Sequence, residues 1–175
     1  MEKLKAEHIA AYLPYRLKVI ADNDMTHIYD LTNVSLFQGI FKFGTCQQIN
    51  DDFFEEDDIY LHNIIPILRP ISDLIKQLKD GRISLVELAK IAFPHHKWEL
   101  WNDIAVNKDD IGFIKNKFSY VCSEDYFMHT FKDGGCVKNL SKLYDYLNEH
   151  FFDYRGLIGR SLAIDVNTLD ENPYE

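Results

Sequence analysis

The run NIIPILRPISDL, residues 63–74, does most to limit the fold. Pro66 and Pro70 each lack an amide hydrogen, clash with a preceding helical turn and push the residue before them toward extended backbone. A regular helix through Ile67 and Leu68 is therefore excluded, and this central segment is predicted as extended. After it, Ile71, Leu74, Ile75 and Leu78 recur at helical spacing, so an amphipathic helix is predicted up to Gly81. Ser84 and Glu87 have the spacing of a capping box and open a second helix that stops before Pro94. HHKWELWNDIAV is read as a further helical turn or two, giving a helical region over 70–106.

The flanking regions have a different periodicity. Leu4 to Tyr12 reads as a short helix ended by Pro14. Arg16–Ile20 reads as a strand, ADND at 21–24 as a turn, and Met25–Tyr29 as the hairpin return. VSLFQGIFKF is expected to form another strand, with a bulge or bend at Gly39. The region 16–68 is thus β-rich. Residues 109–136 are mixed, with extended pieces around FSYVC and YFMHTF and a turn at DGG. Asn139 is suited to cap a helix carrying Leu140, Leu143, Tyr144, Leu147 and Phe151. SLAIDV then reads as a short strand closing a helix–strand region over 139–167, and DENPYE as a frayed tail. The expected class is α+β in a single domain, 1–175: a small antiparallel β-rich part, then amphipathic helices, then a C-terminal helix and short strand.

Composition agrees with a globular protein. Of 175 residues, 46% are apolar, with 12 Phe, 10 Tyr and 2 Trp to fill a core. No apolar run is long enough to span a membrane, and MEKLKAEHIAAYL lacks the features of a signal peptide. Cys46, Cys122 and Cys136 are too few and too scattered for a disulfide framework, so a cytoplasmic protein with reduced thiols is expected.

Charge is concentrated. Residues 51–58 read DDFFEEDD, six acids and no base, against a net charge of −9 for the chain. So acidic a protein does not neutralise phosphates with its whole surface, and generic nucleic-acid binding is not expected. It is steered instead toward basic surfaces. The octet lacks the alternating D-x-D-x-D-G order of a calcium loop. A solvated acidic loop, a protein-binding surface and, last, a metal site remain, and the octet is expected to lie in the connection before Ile59.

No other motif has comparable weight. His95 and His96 are adjacent and cannot chelate one ion from a helix face. Cys122, His129 and Cys136 lack a close pair such as C-x-x-C. Signatures for a nucleophile elbow, a phosphate loop, a zinc protease or a dinucleotide fold are missing, so no catalytic residue, metal or cofactor is expected. GLIG at 156–159 reads as a simple helix exit rather than a backbone-clamping loop. Trp98 and Trp101, three apart on one side of an expected helix, are either core or a binding hot spot. The candidate partner-binding residues are therefore Asp51, Asp52, Phe53, Phe54, Glu55, Glu56, Asp57, Asp58, Trp98 and Trp101.

Three stretches, LKAEHIAAYLPYRLKV (4–19), IIPILRPISDL (64–74) and FFDYRGLIGRSLAIDVNTL (151–169), cover 46 residues in order. Together they resemble a group of small uncharacterised proteins of phages and prophages of Bacteroidota-type bacteria. That pattern reads xYLPYxLKV, IxPILRPLSDL and FDxxGLIxxxLAIDxNTL. Arg16 stands where it carries glycine, and Gly159–Arg160–Ser161 replaces E-K-G. The octet and residues 95–136 have no counterpart in it. The resemblance carries over no functional residue and implies only a context. In that context small acidic accessory proteins bind host defence proteins, anti-CRISPR inhibitors of RNA-guided nucleases or of their RNA complexes among them. The alternatives are a phage structural or replication accessory protein acting by self-assembly, and an enzyme whose site assembles only in three dimensions.

Overall fold

The computed structural model describes residues 2–21, 24–37, 40–50, 53–92, 94, 97–101, 104–107, 118–122, 127–131 and 140–175. The protein is α+β. Its contacts divide into two compact units: Met1–Arg69 with Asn148–Glu175, and Pro70–Leu147.

The first unit is built on a six-stranded sheet. Its strands are β1 (Lys18–Ala21), β2 (Asp24–Phe37), β3 (Ile40–Asn50), β4 (Phe53–Tyr60), β5 (Ile64–Leu68) and a short last strand, Ile164–Asp165. Their order is Ile164–Asp165, β5, β1, β2, β3, β4. The pairings are antiparallel apart from Ile164–Asp165, which runs parallel to β5. Successive residues of a strand point to opposite faces, and both faces of β1 are buried. Val19 packs with Ile9, Tyr12, Leu31, Leu68 and Leu157. Ile20 packs with Ile67 and Val166. Pro66 fits the extended segment foreseen around it, as part of β5.

Four expectations for this unit change. VSLFQGIFKF is not one strand with a bulge, because Phe37 of β2 pairs with Ile40 of β3 and the chain reverses between them. The helix foreseen over Leu4–Tyr12 is a four-residue α-helix, α1 (Ala6–Ile9), continued as a 3-10 helix through Ala10–Tyr15. The acidic octet is not a loop: Phe53–Asp58 belong to β4, while residues 51–52 lie outside the described residues. The tail is not frayed. The Tyr174 hydroxyl donates to the Ile67 carbonyl (2.6 Å) and accepts from the Lys18 amide (3.3 Å), and its ring stacks on Phe151 at 4.1 Å.

The GLIG turn is held from within. Asp153, 3% exposed, accepts from the amides of Leu157 (2.8 Å) and Ile158 (2.7 Å). A carboxylate of the chain itself thus takes the amides that a phosphate clamp would use. The turn ends in the paired bonds of a Schellman motif, Leu162 N–H to Leu157 O and Ser161 N–H to Ile158 O, with Ser161 left-handed at φ 58°.

In the second unit, β6 (Trp98–Trp101), β7 (Ile104–Asn107), β8 (Phe118–Cys122) and β9 (Phe127–Phe131) form a sheet in that order. The helices are α2 (Ser84–Ala92) and α3 (Leu140–Glu149), with Leu143, Tyr146 and Leu147 buried on α3. The helix expected after Pro70 is a single 3-10 turn, Ile71–Ile75. Lys76 is extended, and Leu78 N–H bonds to Arg82 O (2.7 Å) around left-handed Gly81, so the chain reverses instead of coiling on. The helical turns expected at 98–106 are the β6–β7 hairpin, in which Trp98 pairs with Asn107 and Trp101 with Ile104. The Ser84–Glu87 capping box is not formed either. The first helical carbonyl is that of Ile83, Ser84 Oγ accepts from the Tyr146 hydroxyl (3.2 Å), and Glu87 pairs with Lys90 (2.7 Å). Tyr144, expected on the apolar stripe of α3, is 46% exposed.

Two measurements test this description. Left-handed backbone favours glycine, so Ser161→Gly is expected to raise unfolding free energy by about 0.5–1 kcal/mol in urea melts. His8 is buried, and its Nδ1 accepts from the Lys5 amide (3.2 Å), which makes the ring the Nε2–H tautomer. Burial first, then the Arg160 charge, holds its pKa below the ordinary 6.5; Lys5 lowers it further, while Glu7 and Glu2 oppose. As pH falls through that ordinary value, the unfolded chain takes up a proton before the folded one does. The contribution of His8 is therefore present above pH 6.5 and is lost as pH falls toward the folded-state value. The urea midpoint is expected to drop between pH 7.5 and 5.5, and His8→Gln to flatten that drop.

Candidate protein-binding edge

β4 is the outer strand of the six-stranded sheet among the described residues. It pairs only with β3, in a register that puts Glu55 opposite Gln47, Glu56 opposite Cys46, Asp57 opposite Thr45 and Asp58 opposite Gly44. Four consecutive acids thus face four uncharged residues across the ladder. Like charges directly opposite destabilise a sheet, and this register avoids them. It also explains why an acidic run can be a strand despite the low β-propensity of Asp and Glu: a long partner supplies the pairing.

A charged outer strand has a second consequence. Its outer row of amides and carbonyls is a template for another strand, and charge on an edge is a common means of refusing one. β4 is therefore suited to meeting a cationic surface and ill suited to pairing with a neutral strand. Phe53 and Phe54, two of the candidate partner-binding residues, pair with Asn50 and Gln48 at the start of the strand. At its other end is a feature the sequence reading missed. Tyr60 is 36% exposed, and its ring stacks with that of His62 at 5.7 Å and 25°. The Y-L-H spacing was the available signal, and the bend into the 3-10 turn Leu61–Asn63 brings the rings together.

The tryptophans are elsewhere, in the second unit. They do not share a helix side, since both are on β6. Trp98 is 7% exposed, so it is a core side chain and not a surface anchor. The register of β8 and β9 pairs Tyr120 with His129 and Cys122 with Phe127, so Cys122 and His129 are not facing partners. His95, His96 and Cys136 lie outside the described residues. Among the described residues no three acidic, histidine or cysteine side chains are grouped to hold a metal, and no helix is long and apolar enough to cross a membrane.

Comparison with protein-family models, curated proteins and solved structures gave no match.

If Trp98 is core, Trp98→Ala should destabilise the second unit by about 3–5 kcal/mol, as large-to-small changes at buried rings do. Thermal melting and tryptophan emission will read this directly.

Proposed function

We propose that this chain is a non-catalytic binding protein of phage or prophage origin. It docks on and inhibits a basic, nucleic-acid-handling host protein in the bacterial cytoplasm, with an RNA-guided CRISPR nuclease or its RNA complex as the target class. The observation that carries this reading is the run Glu55–Asp58 on the outer strand of a sheet. Such nucleases hold guide and target in positively charged channels, and four consecutive acids on one strand bring negative charge to match such a wall. Asp51 and Asp52 extend the charge in sequence. Phe53, Phe54 and Tyr60 are the aromatic contacts, and rings of this kind are frequent binding hot spots. The target class follows from the resemblance to phage and prophage proteins.

A second reading, self-assembly, draws on β9. Its sequence FMHTF contains no charge, and the strand ends the order of the second sheet among the described residues. Uncharged edges are where strands add.

One set of experiments separates the two. Affinity purification from the host is expected to recover a basic protein, and Glu55→Lys, Glu56→Lys, Asp57→Lys and Asp58→Lys together to weaken that binding by about 30-fold or more, on the order of 2 kcal/mol. Circular dichroism should be unchanged. Full binding by the folded variant removes β4 from the interface. A stable homo-oligomer by light scattering, with an empty eluate, replaces the first reading with the second.

A further inference from the structure

Arg69 follows β5 and is anchored through its backbone, its amide donating to Phe151 O (2.8 Å) and its carbonyl accepting from Asp153 N (2.8 Å). Its side chain is only 11% exposed. A guanidinium has five N–H donors in a planar fork, and burying one is costly unless opposite charge and hydrogen bonds satisfy it. Here compensation is slight among the described residues. The Glu175 carboxylate, itself 47% exposed, stands 3.6 Å from the guanidinium, beyond a good hydrogen bond, and the face of Tyr174 is 5.7 Å away. The nearby charges are already engaged with each other, Lys18 with Asp30 at 2.6 Å.

We infer that Arg69 is the centre of an oxyanion-binding site in the first unit, occupied loosely in this structure by the chain's own Glu175. The fork matches a ligand offering two oxygens, a phosphate or a carboxylate. Tyr174 forms one wall of the site: its hydroxyl is tied to Lys18 and Ile67, and its ring is held by Phe151. Glu175 acts as an internal competitor, so ligand binding and release of the last residue are coupled. This site is separate from the acidic strand and does not depend on the role proposed for it.

The test uses the full chain and its Glu175→Gln variant, with the Arg69 Nε–H resonance followed by NMR. Inorganic phosphate, sodium acetate and sodium chloride are titrated at matched ionic strength. Saturable shifts with phosphate, acetate or both are expected, about tenfold tighter in Glu175→Gln than in the native chain. Saturation by phosphate alone assigns a phosphoryl ligand, and by acetate alone a carboxylate. Equal response to chloride, no saturation with either oxyanion, or the same affinity with and without the Glu175 carboxylate overturns the inference. Arg69→Lys, if folded, should retain charge but lose the bidentate preference, which provides an independent check.

Discussion

Strand β1 is four residues long, and the first unit is organised around it. It pairs with β5 on one side and β2 on the other, and its two faces each join an apolar cluster of described residues, Val19 in one and Ile20 in the other. Fully burying two such side chains contributes about 3–6 kcal/mol, and their alternation permits no shift of register by one residue. The ladder with β5 ends where Val19 faces Pro66. The next pair, Lys18 and Ile67, is joined through the Tyr174 hydroxyl. A side chain 156 positions from Lys18 thus completes a backbone ladder. The order of the C-terminal tail follows from this bond and from the stacking of Tyr174 on Phe151.

The α+β class and the extended segment at Pro66 were legible because they rest on local chemistry: a missing amide hydrogen, alternation, helical stripes. The errors have equally specific causes. Trp98 and Trp101, three apart, matched one face of a helix, yet Asn102 and Asp103 between WELW and IAVN are both residue types that favour turns. Ile71, Leu74 and Ile75 fit a stripe, but it ends after one turn because Gly81 allows a tight reversal nearby. The octet looked like a loop by composition. Its strand state depends on a partner, β3, whose pairing is not encoded in the octet. For the candidate site, charge was legible and geometry was not; the Tyr60–His62 stack arises from a bend that no periodicity announces.

Two residues carry backbone strain. Arg16 and Ser161 are both left-handed, at φ 57° and 58°. Each conformation has a local reason. Arg16 ends the 3-10 helix before β1, and Ser161 closes the Schellman turn after GLIG. A side chain at such positions costs on the order of 1 kcal/mol. The backbone holds both because their neighbours are packed in one cluster, Leu17 beside Arg16, and Ile158 and Leu162 around Ser161. Local preference yields to the core at these two points.

The acidic strand obeys the opposite logic, since nothing in its local chemistry favours a strand and its charge is not dispersed by folding. Glu55 to Asp58 span about 10 Å at roughly 3.4 Å per residue. That is close to the screening length of about 8 Å at physiological salt. Alternate positions of a strand belong to opposite faces, so Glu55 and Asp57 share one and Glu56 and Asp58 the other, two acids to each. In a flexible loop the same acids would spread apart, and ordering them on binding would cost about 1–2 kcal/mol per residue in backbone entropy. Pairing with β3 meets that cost during folding. The strand thus presents its acids in a fixed backbone order, and any attraction to a cationic surface should weaken steadily as added salt shortens the screening length.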